Sequence, residues 1–106
     1  MNELTMRGLE RMADPGSKGI SVNRNGVMVE AFVIKKAGRF FAYTNHCPHT
    51  GAPLDWTPDQ FLNLDQSYIQ CAMHGALFEI ETGFCVYGPC INRRLESLPL
   101  DQVIQL

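Results

Sequence analysis

Residues 20–43 read Ile20-Ser21-Val22-Asn23-Arg24-Asn25-Gly26-Val27-Met28-Val29-Glu30-Ala31-Phe32-Val33-Ile34-Lys35-Lys36-Ala37-Gly38-Arg39-Phe40-Phe41-Ala42-Tyr43. Asn25-Gly26 between two apolar runs is a strong short-range hairpin signal. Residues 35–38 make a second turn, after which Arg39-Phe40-Phe41-Ala42-Tyr43 resumes the strand pattern. The runs are rich in β-branched and aromatic residues, which suit a half-buried pleated surface. The stretch predicts successive antiparallel strands, and nothing in it carries chemistry.

Toward the N-terminus, residues 1–18 lack a clear period. They contain Asp14, Pro15, Gly16 and Ser17, a cluster of turn-formers that ends any local helix, so this segment reads as a leader or an edge. Toward the C-terminus, residues 45–66 are dominated by Pro48, Gly51, Pro53, Pro58 and several Asp and Asn, a composition for loops. Tyr68-Ile69-Gln70-Cys71 resumes a strand. Further short strands are expected at 76–80, 84–87, 94–98 and 103–106, separated by Thr82-Gly83, Gly88-Pro89 and Pro99. Short strands at close spacing predict an all-β sandwich or barrel. A chain of 106 residues is one domain by length, 1–106, with no internal repeat.

The bulk numbers narrow the function classes. A formal net charge of -2 gives no electrostatic footprint for nucleic acid or an anionic membrane. No apolar run reaches signal-peptide or membrane-spanning length, so the expectation is a soluble cytoplasmic protein. In that setting four cysteines point to metal binding or redox chemistry more than to a disulfide framework.

Two candidate ligand pairs stand out: Cys47-Pro48-His49, followed by Thr50-Gly51-Ala52-Pro53-Leu54, and Cys71-Ala72-Met73-His74, followed by Gly75-Ala76-Leu77-Phe78. Each offers one thiolate and one imidazole at short range. Ligands so close in sequence need a tight loop to converge, and Gly51 and Gly75 permit the backbone conformations that such loops require. Two Cys and two His are also a common structural zinc set, although C-x-H is an unusual first half for a zinc finger.

The paired boxes resemble the Rieske iron-sulfur family, whose signature is C-x-H-x-G-x-x-L, a spacer, then C-x-x-H-G-x-x-F; every one of those positions is filled here. Thr82-Gly83 resembles the family's hairpin turn after the second box, and Gly88-Pro89 its proline loop over the cluster. The resemblance runs over roughly residues 20–106. It implies a two-iron, two-sulfur (2Fe-2S) cluster held by Cys47, His49, Cys71 and His74, and an antiparallel β sandwich or barrel base carrying a small cluster-binding part at about 45–89. The spacer of 21 residues between His49 and Cys71 is a few longer than is usual in small Rieske ferredoxins; the extra length is expected as a surface excursion in 55–66.

In that family two thiolates hold one iron and two neutral imidazoles the other, which raises the potential to roughly -150 to +300 mV, against about -400 mV for plant-type all-cysteine clusters. High-potential respiratory members carry an extra Cys in each loop and a Ser hydroxyl donating to a cluster sulfide. Here those positions are Ala52, Met73 and Ala76, so the low end of the range is expected. The implied function is a small electron carrier, passing single electrons between a reductase and an oxygenase or other redox partner. The two His edges would face solvent at the docking tip. The alternatives are a non-catalytic small subunit of a nitrite-reductase-like oxidoreductase and, after it, a zinc-stapled binding module.

Other residues receive plainer readings. Cys85 and Cys90 read as structural thiols. His46 reads as a loop residue lining the site, and Met73 as packing against it. Trp56, Phe61 and Leu62 read as cover for the small core, with a partner-docking patch as the alternative. Arg93-Arg94 reads as a solvated charge pair at the start of a strand. With no second metal set, no 2-His-1-carboxylate spacing, no phosphate-binding Gly loop and no nucleophile elbow, catalysis by the chain alone is not expected.

Overall fold

The computed structural model describes residues 4–5, 11–46, 48, 54, 60–71, 75–88, 91–99 and 104–105. The strands among them are β1 (Leu4–Thr5), β2 (Gly16–Arg24), β3 (Val27–Lys36), β4 (Arg39–Thr44), β5 (Ile69–Gln70), β6 (Leu77–Phe78), β7 (Cys85–Tyr87) and β8 (Ile104–Gln105). The all-β expectation holds, and the architecture is two three-stranded antiparallel sheets plus a parallel pair of β1 with β8.

The first sheet is the meander β2-β3-β4. Ile20 faces Ala31 across one ladder, and Phe32 faces Tyr43 across the other. Its turns lie where the sequence places them: Asn25 and Gly26 have φ of 55° and 86°, and Ala37 and Gly38 have φ of 53° and 75°. Such mirror-image turns match the right-handed twist of the flanking strands. The Asp14 carboxylate accepts hydrogen bonds from the amides of both Ala37 and Gly38, at 2.8 Å each.

The sheet is not half-buried at its centre, as its composition suggests. Residues 31–34 of β3 are all buried, because alternate side chains enter two different cores. Phe32 and Ile34 join Tyr43, Leu54, Phe61, Ile69, Cys71, Ala76, Phe78, Ile80, Cys85 and Leu95, while Ala31 and Val33 join Ile20, Val22, Ala42 and Leu98. The segment before β2 is more than a leader. Met12 packs against the second core, the Asp14–Pro15 peptide is cis, and the strand begins at Gly16, inside the expected turn cluster.

The second sheet, β5-β6-β7, is small, with a bulge between Leu77 and Phe78. The expected strand at 94–98 is instead a stitch between the two sheets. The Cys85 amide donates to the Arg93 carbonyl and the Leu95 amide to that of Gly83, after which Thr44 donates to Glu96 and Leu98 to Ala42. Because its hydrogen bonds change partner midway, the segment forms only isolated bridges, to Phe84 and to Tyr43. The insertion is only partly a surface excursion: Phe61 is fully buried and stacked on Phe32 with ring centroids 4.3 Å apart, and Leu62 bridges to Ile69. Those two side chains take the core role; Trp56 lies outside the described residues.

Candidate metal centre

The first candidate loop hangs from the end of β4. The Asn45 amide donates to the Glu30 carbonyl, and its side-chain Oδ1 accepts from the Leu54 amide at 2.7 Å. A buried Asn thus ties both ends of an eight-residue excursion together, and Leu54, wholly buried, anchors the far end in the larger core. His46 is exposed on this loop. Cys47 and His49 lie outside the described residues, but Pro48, covalently between them, is described.

The second loop follows β5. Cys71 is 0% exposed. Its amide donates to the Ala76 carbonyl and its carbonyl accepts from the Gly75 amide, both at 2.9 Å. These two bonds close a six-residue loop in which the Cys and His of the C-x-x-H box necessarily share one short excursion. Gly75 has φ of 66°, as the tight-loop reading requires; Gly51 and His74 lie outside the described residues.

A third segment touches both loops. At Gly88, φ is 104° and a Cβ would stand 2.8 Å from the Cα of Ala76, so only glycine lets this backbone lie against the second loop. The Ile91 amide turns back to the Gly88 carbonyl at 3.3 Å. Two residues on, Arg93 Nη1 donates to the carbonyl of Pro48 at 2.8 Å, fastening the same segment to the first loop. Arg94 lies over the Phe84 ring at 5.2 Å. The reading of Arg93-Arg94 as a merely solvated pair is therefore corrected: both are exposed, yet each has a specific contact, and a distance-blind sequence carries no signal for either.

The second sheet is joined to the first by Tyr43. Its ring lies against Gly83, where a Cβ would meet Cε1 at 2.8 Å, and burial pushes its hydroxyl up to about 12, with Arg94 opposing and Glu81 adding to the shift. Cys85 is buried and its Sγ donates to the Tyr87 carbonyl at 3.2 Å, which fits a structural thiol; Cys90 and Met73 lie outside the described residues. Tyr87 and Ile91, exposed, border the Gly88 turn.

The donor chemistry fits an iron-sulfur cluster. One buried thiol sits in a loop pre-closed by backbone bonds. The remaining three candidate donors belong by covalent sequence to that loop and to the one bracketed by Asn45, Leu54 and Arg93. Among the described residues no helix is long and apolar enough to cross a membrane.

Comparison with known proteins gives the same picture. No curated protein sequence matches the chain. Among solved structures, it is similar to the ferredoxin of carbazole 1,9a-dioxygenase from Nocardioides aromaticivorans IC177, at 21% identity and a TM-score of 0.62 over 92% of this chain and 83% of that one. A Sphingomonas yanoikuyae B1 ferredoxin aligns at 23% identity and a TM-score of 0.63, covering 93% and 85%. A chain from the complex of reduced oxygenase and oxidized ferredoxin in carbazole 1,9a-dioxygenase aligns at 24% and 0.65, covering 93% and 81%. The Rieske [2Fe-2S] domain matches residues 10–101. A match of that extent, over a fold of the same kind, makes this chain a member of the Rieske [2Fe-2S] domain family, whose cofactor is a Rieske-type 2Fe-2S cluster.

Proposed function

We propose that the protein is a small electron carrier that takes single electrons from a reductase and delivers them to an oxygenase, with Cys47, His49, Cys71 and His74 as the cluster ligands. When bound, the cluster supplies reversible one-electron chemistry. The chain's own part is to hold the loops, exclude water and present a docking surface. The observation that carries the reading is the convergence of the 88–93 segment on both ligand loops, through Gly88 against Ala76 and Arg93 on Pro48. Two loops 22 positions apart at their histidine and cysteine need such a common support if they are to share one centre.

Two further observations support it. The structural neighbours include ferredoxins of oxygenase systems, one of them in a complex with its oxygenase. Tyr87 and Ile91 place exposed apolar surface beside the Gly88 turn, where a redox partner can bury it. The whole of 1–106 is read as one unit, with the cluster-binding part at about 45–89. Cys85 held as a thiol suits the reducing cytoplasm. With Ala76 where a hydroxyl would assist the reduced cluster, the potential belongs at the low end of the Rieske range.

The test is a low-temperature electron paramagnetic resonance spectrum of the anaerobically purified protein after dithionite reduction. A signal with the low average g-value of mixed Cys and His ligation, with two irons per chain, is the expected result. A silent sample with stoichiometric zinc and no iron overturns the reading.

A further inference from the structure

The hydrogen bond from Arg93 to Pro48 crosses 45 positions and ends on the peptide that joins Pro48 to His49. Arg93 is itself fixed at its backbone, since its carbonyl accepts from the Cys85 amide at 2.8 Å and Cys85 is buried in the larger core. The guanidinium therefore reaches the ligand loop from a backbone hydrogen-bonded to β7. It meets the loop at the one residue lying between two of the proposed ligands.

We propose that Arg93 is a positioning residue for the cluster: it clamps the first ligand loop at the Pro48 carbonyl and holds a permanent positive charge beside the centre, biasing the centre toward its reduced form. The inference rests on the electron-carrier reading above. Groups that hold the ligand-bearing backbone orient the ligands and tune the centre. Guanidinium is the right group for both tasks, because it stays protonated at any working pH and its planar fork donates in a fixed direction. Reduction adds one negative charge to the cluster, and a nearby cation stabilises that product more than the oxidised form. Since Arg93 is exposed, the charge effect is screened by salt, with a Debye length of roughly 10 Å at 0.1 M and 3 Å at 1 M.

The experiment is a spectroelectrochemical titration of the cluster-loaded full-length protein and its Arg93→Ala, Arg93→Gln and Arg93→Lys variants, at low and high ionic strength. The midpoint potential of Arg93→Ala and Arg93→Gln is expected to move to more negative values, the shift shrinking in high salt, while Arg93→Lys stays near the parent. The electron paramagnetic resonance g-values of Arg93→Ala are expected to change, reporting the released loop. Parent-like potential and g-values in a cluster-loaded Arg93→Ala protein would overturn the role of Arg93 and leave the electron-carrier reading standing. A parent protein that binds no cluster would overturn both.

Discussion

The hydroxyl of Tyr43, on the last strand of the first sheet, donates at 2.6 Å to the carbonyl of Ile80, in the turn that joins β6 to β7. Tyr43 is 2% exposed, its ring packs at 5.8 Å from Phe32, and the backbone of Gly83 passes directly over its edge. One side chain thus fastens the β6–β7 turn of the second sheet to the first sheet. Replacing it with Phe removes a buried hydrogen bond and leaves the Ile80 carbonyl unsatisfied, at a cost of about 1–3 kcal/mol.

Tyr43 also makes stability pH-dependent. Its folded-state pKa is raised from 10.0 to about 12 by burial, so the folded protein keeps a proton that the unfolded chain releases. The contribution is fully present below pH 10 and is lost as the pH rises toward about 12. Denaturant unfolding followed across that window is expected to show a steep decline for the parent and a flatter one for Tyr43→Phe. Identical slopes would refute the assignment.

Phe61 belongs to the core although its neighbours in sequence form a loop. Its ring stacks on Phe32 at 4.3 Å with an interplanar angle of 11°. Truncation to Ala is expected to cost about 3–5 kcal/mol, measurable as a lower denaturation midpoint. A loss below about 0.5 kcal/mol would show that the insertion only lies on the surface.

Gly88 is where the third loop meets the second. An Ala there combines a strained φ of 104° with a 2.8 Å approach to the Ala76 Cα. Gly88→Ala is expected to lower the iron content per chain while far-ultraviolet circular dichroism keeps its strand signature. Full iron occupancy in this variant would show that the close approach does not shape the site.

Among the described residues, the buried Cys71 and Cys85 offer a test of proposed ligand against structural thiol. Cys71→Ala is expected to bind no iron and to lose visible absorption, whereas Cys85→Ala keeps both and loses only stability, by about 1 kcal/mol as typical for a small core deletion. The reverse pattern would exchange their roles.

Ala76 is wholly buried in the second loop, at the position where the resemblance puts the hydroxyl donor of high-potential respiratory members. Ala76→Ser is expected to shift the midpoint potential to more positive values by stabilising the reduced cluster. An unchanged or more negative value would place the control of potential elsewhere.

Much of this was legible from residue order. The turns at Asn25-Gly26 and at 35–38 carry local chemistry that specifies their backbone angles, and the β-branched and aromatic runs in 20–43 specify strands whatever lies beyond them. The paired C-x-H and C-x-x-H boxes name the candidate donors, since ligand type and spacing are properties of the chain itself; of these candidates only Cys71 is among the described residues. Less legible was the segment 93–98, whose apolar pattern reads as one strand but whose hydrogen bonds divide between Gly83 and Cys85 on one side and Ala42 and Thr44 on the other.

Sequence by itself therefore determined the all-strand character of this protein, its tight turns and the identity of its candidate ligands, because each depends on contacts within a few residues. Tertiary structure alone decided that β3 is buried on both faces, that Phe61 is core, that Met12 and Asp14 belong to the base, and that Arg93 reaches Pro48. Those facts depend on which distant segments the chain brings together. A residue's charge or hydrophobicity says what it can contact, and only the folded path says what lies within reach.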